Sequence, residues 1–320
     1  MVVHRWRAQH AAMGVRSVVA AAATALLLAG CGSGGPESVS SARVPAGLEA
    51  GCPAPTTELR LPGGDLPRGA TRVRLCPGPS FVDNHGSPVA PDVQGPADML
   101  TADVDELVAL VNEQDDLDGE LLCNSDAGPE LVYWFGYPGG DWRAVQHGSY
   151  GCDVVRVGAR SRRLGGVELS LAFTEALLAQ RPSAEPPVGV PAARCLAPYE
   201  TPRSALASAD LDLASATLCV SPRPDTVRSA PLPLDLLERV DTGLWPGVAE
   251  RSRWPCTTGG SEWIEGVTPW GDRVAWGIDA CGLLYPLHGA SVLPYERQYL
   301  SPELDAAFAA LPLGPSEQLG

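Results

Sequence analysis

The chain has 320 residues, 45% hydrophobic and 19% charged, with 38 acidic against 23 basic residues and a net charge of −15. So acidic a surface repels phosphate backbones and anionic headgroups, which excludes nucleic acid as an expected partner. Glycine (35) and proline (31) together fall short of the level that marks disorder, and the length suffices for two domains with cores of their own. Every basic residue is arginine, which fits the codon bias of a G+C-rich genome better than a chemical demand.

Residues 1–30 read as a processing signal. Arg5, Arg7 and Arg16 precede an apolar run from Ser17 to Gly30. A membrane-spanning helix needs about 20 apolar residues, more than this run supplies, whereas a secretion signal needs fewer. The run closes on Leu28-Ala29-Gly30-Cys31. That closing resembles the lipobox of bacterial lipoproteins, a resemblance confined to residues 1–31. It implies cleavage before Cys31, lipid attachment at the Cys31 thiol, and an extracytoplasmic chain anchored to the outer face of the cytoplasmic membrane. Two or three acyl chains on one residue anchor stably where one is marginal. Cleavage removes three arginines and no acid, leaving 20 basic against 38 acidic residues, a net charge of −18. Residues 31–51 are rich in Gly and Ser and read as a flexible tether, spanning on the order of 25 Å as a coil.

Nine cysteines are present. With Cys31 set aside, the even remainder in an exported chain predicts four disulfides. An internal repeat arranges them. Cys52 and Cys76 are 24 residues apart, and so are Cys195 and Cys219. Each second cysteine ends a β-type run followed by proline. A helix is then predicted in each half, over Val104, Leu107, Val108 and Val111 with Thr101 or Asp103 as cap, and over Leu234, Leu237, Val240 and Leu244.

A hairpin follows in both halves. Residues 131–137 lead into Pro138-Gly139-Gly140-Asp141 and return from Trp142 towards Cys152, and residues 263–268 lead into Pro269-Trp270-Gly271-Asp272 and return from Arg273 towards Cys281. From first cysteine to turn proline is 15 residues in one half and 13 in the other, and from turn Asp to second cysteine 11 against 9. Each arm differs by one strand period, which preserves side-chain facing. Disulfides Cys123–Cys152 and Cys256–Cys281 across the open ends of the hairpins are therefore expected, beside Cys52–Cys76 and Cys195–Cys219. Each half closes on a helix, one over residues 167–178 and one opening Ser301-Pro302-Glu303, a cap followed by proline.

The expected fold is α+β: two tandem homologous domains, residues 52–181 and 195–320, each a mainly antiparallel sheet with two helices, joined by a proline-rich linker over 182–194. Such a body is similar to exported actinobacterial lipoproteins, a likeness that brings no activity with it.

Candidate chemistry is thin. His147-Gly-Ser149 lacks the glycine that a nucleophile elbow needs two residues before the serine. Gln114 to Gly119 has the flavour of a calcium loop, with Asp116 and Asp118 in place but Gln114 and Ser125 where acids belong, and a solvated loop explains it better. Asp141 and Asp272 are the equivalent turn acids and suit turns as such. Arg156, Arg160, Arg162 and Arg163 form the one basic cluster, suited to an anionic wall polymer or headgroups, though a solvated hairpin explains it better.

Aromatic residues are more suggestive. Trp134, Tyr137, Trp142, Trp263 and Trp270 crowd the two hairpins. Neighbours in a strand face opposite ways, so Tyr133 and Trp134 cannot share one core. Exposed Trp and Tyr suit recognition of sugars or proteins, and packing under neighbouring loops is the alternative. The expectation is a non-catalytic binding or interaction module of the cell envelope, with no cofactor and no metal, its partner an envelope glycan or protein. An inhibitor of a secreted enzyme is a second reading, and a hydrolase assembled between the halves from His147, Asp141 and Asp272 a third.

Overall fold

A computed structural model of the chain describes residues 47–53, 64–78, 81–82, 88–89, 93–117, 130–148, 154–158, 160–197, 203–206, 212–223, 225–243, 245–246, 261–279, 282–287 and 298–319. Residues 40–320 form one compact unit, α+β and mainly antiparallel. The first half contains β1 (Arg72–Pro77), β2 (Phe81–Val82), β3 (Pro88–Val89), β4 (Val93–Gln94), α1 (Val104–Asn112), β5 (Glu130–Gly136), β6 (Trp142–Gly148), β7 (Val154–Val157), β8 (Arg160–Gly165) and α2 (Gly166–Gln180). The second contains β9 (Arg203–Ser204), β10 (Ser215–Arg223), β11 (Thr226–Pro231), α3 (Leu234–Gly243), β12 (Trp245–Pro246), β13 (Glu262–Val267), β14 (Arg273–Ile278), β15 (Leu283–Pro286), β16 (Gln298–Tyr299), α4 (Pro302–Ala309) and β17 (Glu317–Gln318).

Two sheets dominate, ordered β1-β5-β6-β7-β8 and β12-β16-β15-β14-β13-β10-β11-β17. Their central strands correspond residue for residue. Cys76 faces Val132 across β1 and β5, and Cys219 faces Trp263 across β10 and β13. Gly78 N donates to Glu130 O at 2.6 Å and Ser221 N to Ser261 O at 2.6 Å, while Thr71 N donates to Gly136 O and Ala214 N to Val267 O. The hairpin turns close alike: Tyr137 N donates to Asp141 O, and Thr268 N to Asp272 O. Gly139, Gly140 and Gly271 take the positive φ those turns require. In the second half β11 pairs beside β10, whereas among the described residues β1 is the edge of its sheet.

Disulfides Cys52–Cys76 and Cys195–Cys219 join the segment before each sheet to its first strand, with Cα–Cα distances of 5.5 and 5.7 Å. Cys31, Cys123, Cys152, Cys256 and Cys281 lie outside the described residues.

In the first half the main core fills the helix-covered face of the sheet. Leu75, Leu131, Tyr133, Phe135, Val145 and Val155 meet Leu107 and Val111 of α1 and Leu169, Phe173 and Leu177 of α2. Tyr133 and Phe173 pack edge to face at 5.4 Å. The opposite face is also covered: Leu48 seals Cys76, Val132, Trp134, Trp142 and Ala144. Arg74 clamps that cover, donating Nε to Leu48 O at 2.6 Å and Nη2 to Glu49 O at 3.1 Å. The tether expected over 31–51 therefore gives way to an ordered, packed turn at Gly47.

Helix ends bring two corrections. Asp103 has left-handed backbone geometry (φ 53°) and makes no side-chain cap. Gln180, at the far end of α2, instead fixes the chain leading into α1: its Oε1 accepts from Thr101 N at 2.6 Å and Ala102 N at 3.1 Å. In α3, Leu236 and Leu237 are buried while Leu234, expected on the inner face, is exposed. The cap at α4 stands as read, Ser301 Oγ accepting from Leu304 N at 3.2 Å. Among the described residues no helix is long and apolar enough to cross a membrane.

Candidate functional site

The densest cluster of buried charge lies where the two halves meet, and it begins with a strap. β9 pairs in parallel with β4, so a segment of the second half continues the structure of the first. Ala205 N donates to Gln94 O at 2.8 Å. Ala205 and Leu206 then enter the core of the first half. Apolar burial is what commits the strap to that side.

Arg203 opens the strap and points back. Its Nη2 donates to Glu265 Oε1 on β13 at 2.7 Å, with the two side chains 1% and 2% exposed. Trp263 Nε1 donates to the same oxygen at 3.1 Å. Burial pushes the Glu265 carboxyl up to about 7, against the pull of Arg203, Trp263, the Leu196 backbone amide and Arg273. The same burial lowers the Arg203 guanidinium, and Glu265 offsets part of that. Glu265 occupies the sheet position that Trp134 holds in the first half, two residues beyond the partner of the half-cystine.

A second ion-pair cluster sits at the end of α2. Arg181 donates Nε to Asp98 Oδ2 at 3.0 Å, Nη2 to Asp98 Oδ1 at 2.9 Å and Nη1 to Asp272 Oδ2 at 2.7 Å. Burial depresses its guanidinium, and the two carboxylates reverse that to a net rise. Thr268 Oγ1 donates to Asp272 Oδ2 at 2.9 Å and accepts from the backbone amides of Trp270 and Asp272. The Trp270 ring lies 5.0 Å from the Arg181 guanidinium carbon. A forked arginine that satisfies two carboxylates at once is suited to holding two elements together.

The aromatic surface read from the sequence is corrected. Trp134 (2% exposed), Trp142 (7%), Tyr137 (8%) and Trp263 (3%) are buried. Alternation does send Tyr133 and Trp134 to opposite faces, but residues 47–50 cover the second face. Tyr137 hydrogen-bonds Pro67 O through its hydroxyl at 2.8 Å, and burial raises that hydroxyl to about 12. Only Trp270 of the five is half-exposed, and it stacks on Arg181.

The proposed hydrolase set does not assemble. His147 lies buried at the end of β6 remote from the turn, with Nδ1 3.5 Å from Ser170 Oγ, whereas Asp141 is exposed at the turn itself. They lie six positions apart along the strand, roughly 20 Å. Asp272 is taken by Arg181 and Thr268. The basic cluster is neutralised within the fold: Arg156 pairs with Glu130, Arg160 with Asp116 and Asp65, and buried Arg162 with Asp65 at 2.7 Å. The Arg163 side chain, His85, His288, Asp118 and Ser125 lie outside the described residues. Asp116, considered as a calcium ligand, thus faces arginines. Among the described residues no group of three His, Cys, Asp or Glu side chains is placed to hold a metal ion.

An open depression of about 170 Å³ lies among Asp65, Leu66, Pro67, Arg143, Ala144 and Val157. It is smaller than the roughly 300 Å³ at which small-molecule sites begin.

Sequence reasoning missed Arg181, Asp98, Arg203 and Glu265. Glu265 alone left a signal, a carboxylate on the same strand face as Trp263. Comparison with protein-family models, with curated proteins and with solved structures finds no match for the chain.

Proposed function

We propose that the chain is an exported protein of the cell envelope, lipid-anchored through Cys31 and acting by binding rather than by catalysis. In this reading its two halves arose by duplication. They are locked into one body by the Arg203–Glu265 and Arg181–Asp98–Asp272 contacts. The pair of disulfides carries the reading: Cys52–Cys76 and Cys195–Cys219 belong to an oxidising compartment, and Cys31 closes a lipobox-like sequence just after the leader. The ion-paired state of Asp272 supports a cohesive rather than a reactive role for the junction.

Expression in a high-G+C bacterial host tests the anchor. The wild-type chain is expected in the membrane fraction, its N-terminal peptide carrying acyl mass on residue 31, with Cys31→Ala released. Equal partitioning of both would refute anchoring. Melting scans of the released Cys31→Ala chain against wall glycans and purified envelope proteins test binding, a ligand being expected to raise the melting temperature by mass action. Turnover of any ester, peptide or glycan substrate by that chain would overturn the non-catalytic part.

A further inference from the structure

One arginine of the five-stranded sheet holds nothing. Arg72 pairs with Glu49, Arg74 donates to Leu48 O, Arg156 pairs with Glu130, and Arg160 and Arg162 share Asp65. Arg143, half-buried on β6, makes no hydrogen bond or ion pair among the described residues, although the chain carries a net charge of −15. The second half shows the same position without a charge. β5 and β6 set Phe135 opposite Arg143 as β13 and β14 set Gly266 opposite Val274, and Val274 packs on the apolar core. The counterpart serves packing, so the cation at 143 is not a demand of the shared architecture.

Arg143 lines the open depression of about 170 Å³ together with Ala144, Val157 and residues 64–67. One wall is tied down from several sides. Asn112 Oδ1 accepts from Leu66 N at 2.9 Å, its Nδ2 donates to Leu66 O at 2.8 Å, and the Tyr137 hydroxyl donates to Pro67 O at 2.8 Å. Fixed walls lower the ordering cost of binding. The volume gives room for roughly six groups the size of a water, at about 30 Å³ each, which selects a small ligand or the end of a longer one. Asp65 also lines the depression, its Oδ1 engaged by Arg162 at 2.7 Å and its Oδ2 making no hydrogen bond among the described residues. Arg143 and Asp65 thus line one hollow without forming an ion pair. Among the described residues around it, Arg143, Arg160 and Arg162 stand against Asp65 and Asp116, which leaves one positive charge uncompensated.

We propose that this depression binds a small carboxylate bearing a hydrogen-bond donor on its α-carbon: an α-amino acid, an α-hydroxy acid or the C-terminal residue of a peptide. The Arg143 fork takes the carboxylate through two parallel N–H···O bonds, the geometry that planar guanidinium and carboxylate share. Asp65 Oδ2 accepts from the α-donor, which separates such ligands from a plain carboxylate. The remainder of a longer ligand leaves through the open side. The proposal gives the binding reading a ligand class and rests on it. Failure at Arg143 alongside a ligand found in the melting scans would remove this site alone.

The test adds alanine, lactate, N-acetylalanine or acetate to the isotope-labelled full-length Cys31→Ala chain. NMR follows the Arg143 Nε–H and the backbone amides of residues 64–66. At least one of the first three should shift these signals saturably, the best of them binding about tenfold more tightly than acetate. Their order tells a free acid from a peptide end, and each order supports the site. Arg143→Gln, which has no partner to lose, should abolish the amide shifts. Asp65→Ala should bring the best ligand down to the level of acetate, and Arg162 keeps Asn112 O and Gln114 O as partners in that variant. Should it fail to fold, the comparison with acetate in the unaltered Asp65 chain decides the same point. The proposal is overturned if none of the four saturates below about 10 mM. It is equally overturned if acetate binds as tightly as the best of the others, if chloride displaces that ligand at equal concentration, or if Arg143→Gln binds unchanged.

Discussion

Arg181 and Asp272 meet at 2.7 Å with 5% and 2% of their side chains exposed, one at the end of the first half's last helix and the other in the second half's hairpin turn. The ion pair joins elements 91 residues apart in sequence. Removing one partner strands the other as a buried charge, so Arg181→Ala should destabilise the chain by about 3–5 kcal/mol. Arg181→Lys should recover only part of this, because an ammonium cannot grip Asp98 with two nitrogens while reaching Asp272. Urea unfolding of the two variants checks the order, and a lysine variant as stable as wild type would contradict the forked geometry.

Glu265 gives the junction a pH dependence with a definite sign. Its carboxyl is raised from 4.5 to about 7 by burial. Between those values the folded chain holds a proton that the unfolded chain has lost, so this group's contribution to stability falls as pH rises through that window and is level on either side. Glu265→Gln keeps an oxygen for Arg203 and Trp263 but does not ionise. It should flatten the slope of stability against pH while the chain still folds. Trp263 fluorescence during unfolding at a series of pH values reads both.

The aromatic correction carries its own consequence. With Trp134 buried beneath Leu48, Trp134→Ala should cost about 3–5 kcal/mol as a cavity. Trp270→Ala, half-exposed and stacked on Arg181, should cost about 1 kcal/mol through the lost cation–π contact. Thermal unfolding separates the two cases, and equal losses would contradict the burial pattern.

What could be read in advance was local. The strands that carry Cys76 and Cys219 (the second running on to Arg223, past the end expected at the cysteine), the hairpin turns and the Ser301 cap each rest on a few neighbouring residues whose backbone chemistry leaves little choice. The Cys52–Cys76 and Cys195–Cys219 pairing, which the structure shows, was what remained in each repeat once the other four cysteines were assigned to the hairpins. What escaped depended on residues far apart. Nothing near Trp134 announces that Leu48 covers it. Nothing near Asp103 says that Gln180, 77 residues on, holds the chain just before it, and the parallel pairing of β4 with β9 rests on two residues of each. The junction was hidden for the same reason, since Arg181 and Arg203 look like ordinary charges until their carboxylates are placed.

Two glycines should respond to alanine for different reasons. A Cβ on Gly95, just after β4, would fall 2.0 Å from the Leu75 carbonyl oxygen, backbone against backbone with no flexible side chain to yield. Gly95→Ala must push β4 off β1, and β4 also carries the strap from the second half. The loss should reach about 3 kcal/mol or more, as overpacking does where relaxation is blocked. Gly139, at the exposed hairpin tip, has φ +94° and nothing within 4 Å of such a Cβ. Gly139→Ala therefore meets only left-handed backbone strain, about 1–2 kcal/mol. Hydrogen exchange distinguishes them beyond the size of the loss. Gly95→Ala should deprotect Ala205, whose amide bonds Gln94 O across the junction, while Gly139→Ala should leave it protected. Faster exchange at Ala205 in both variants would mean that the hairpin tip and the strap open together.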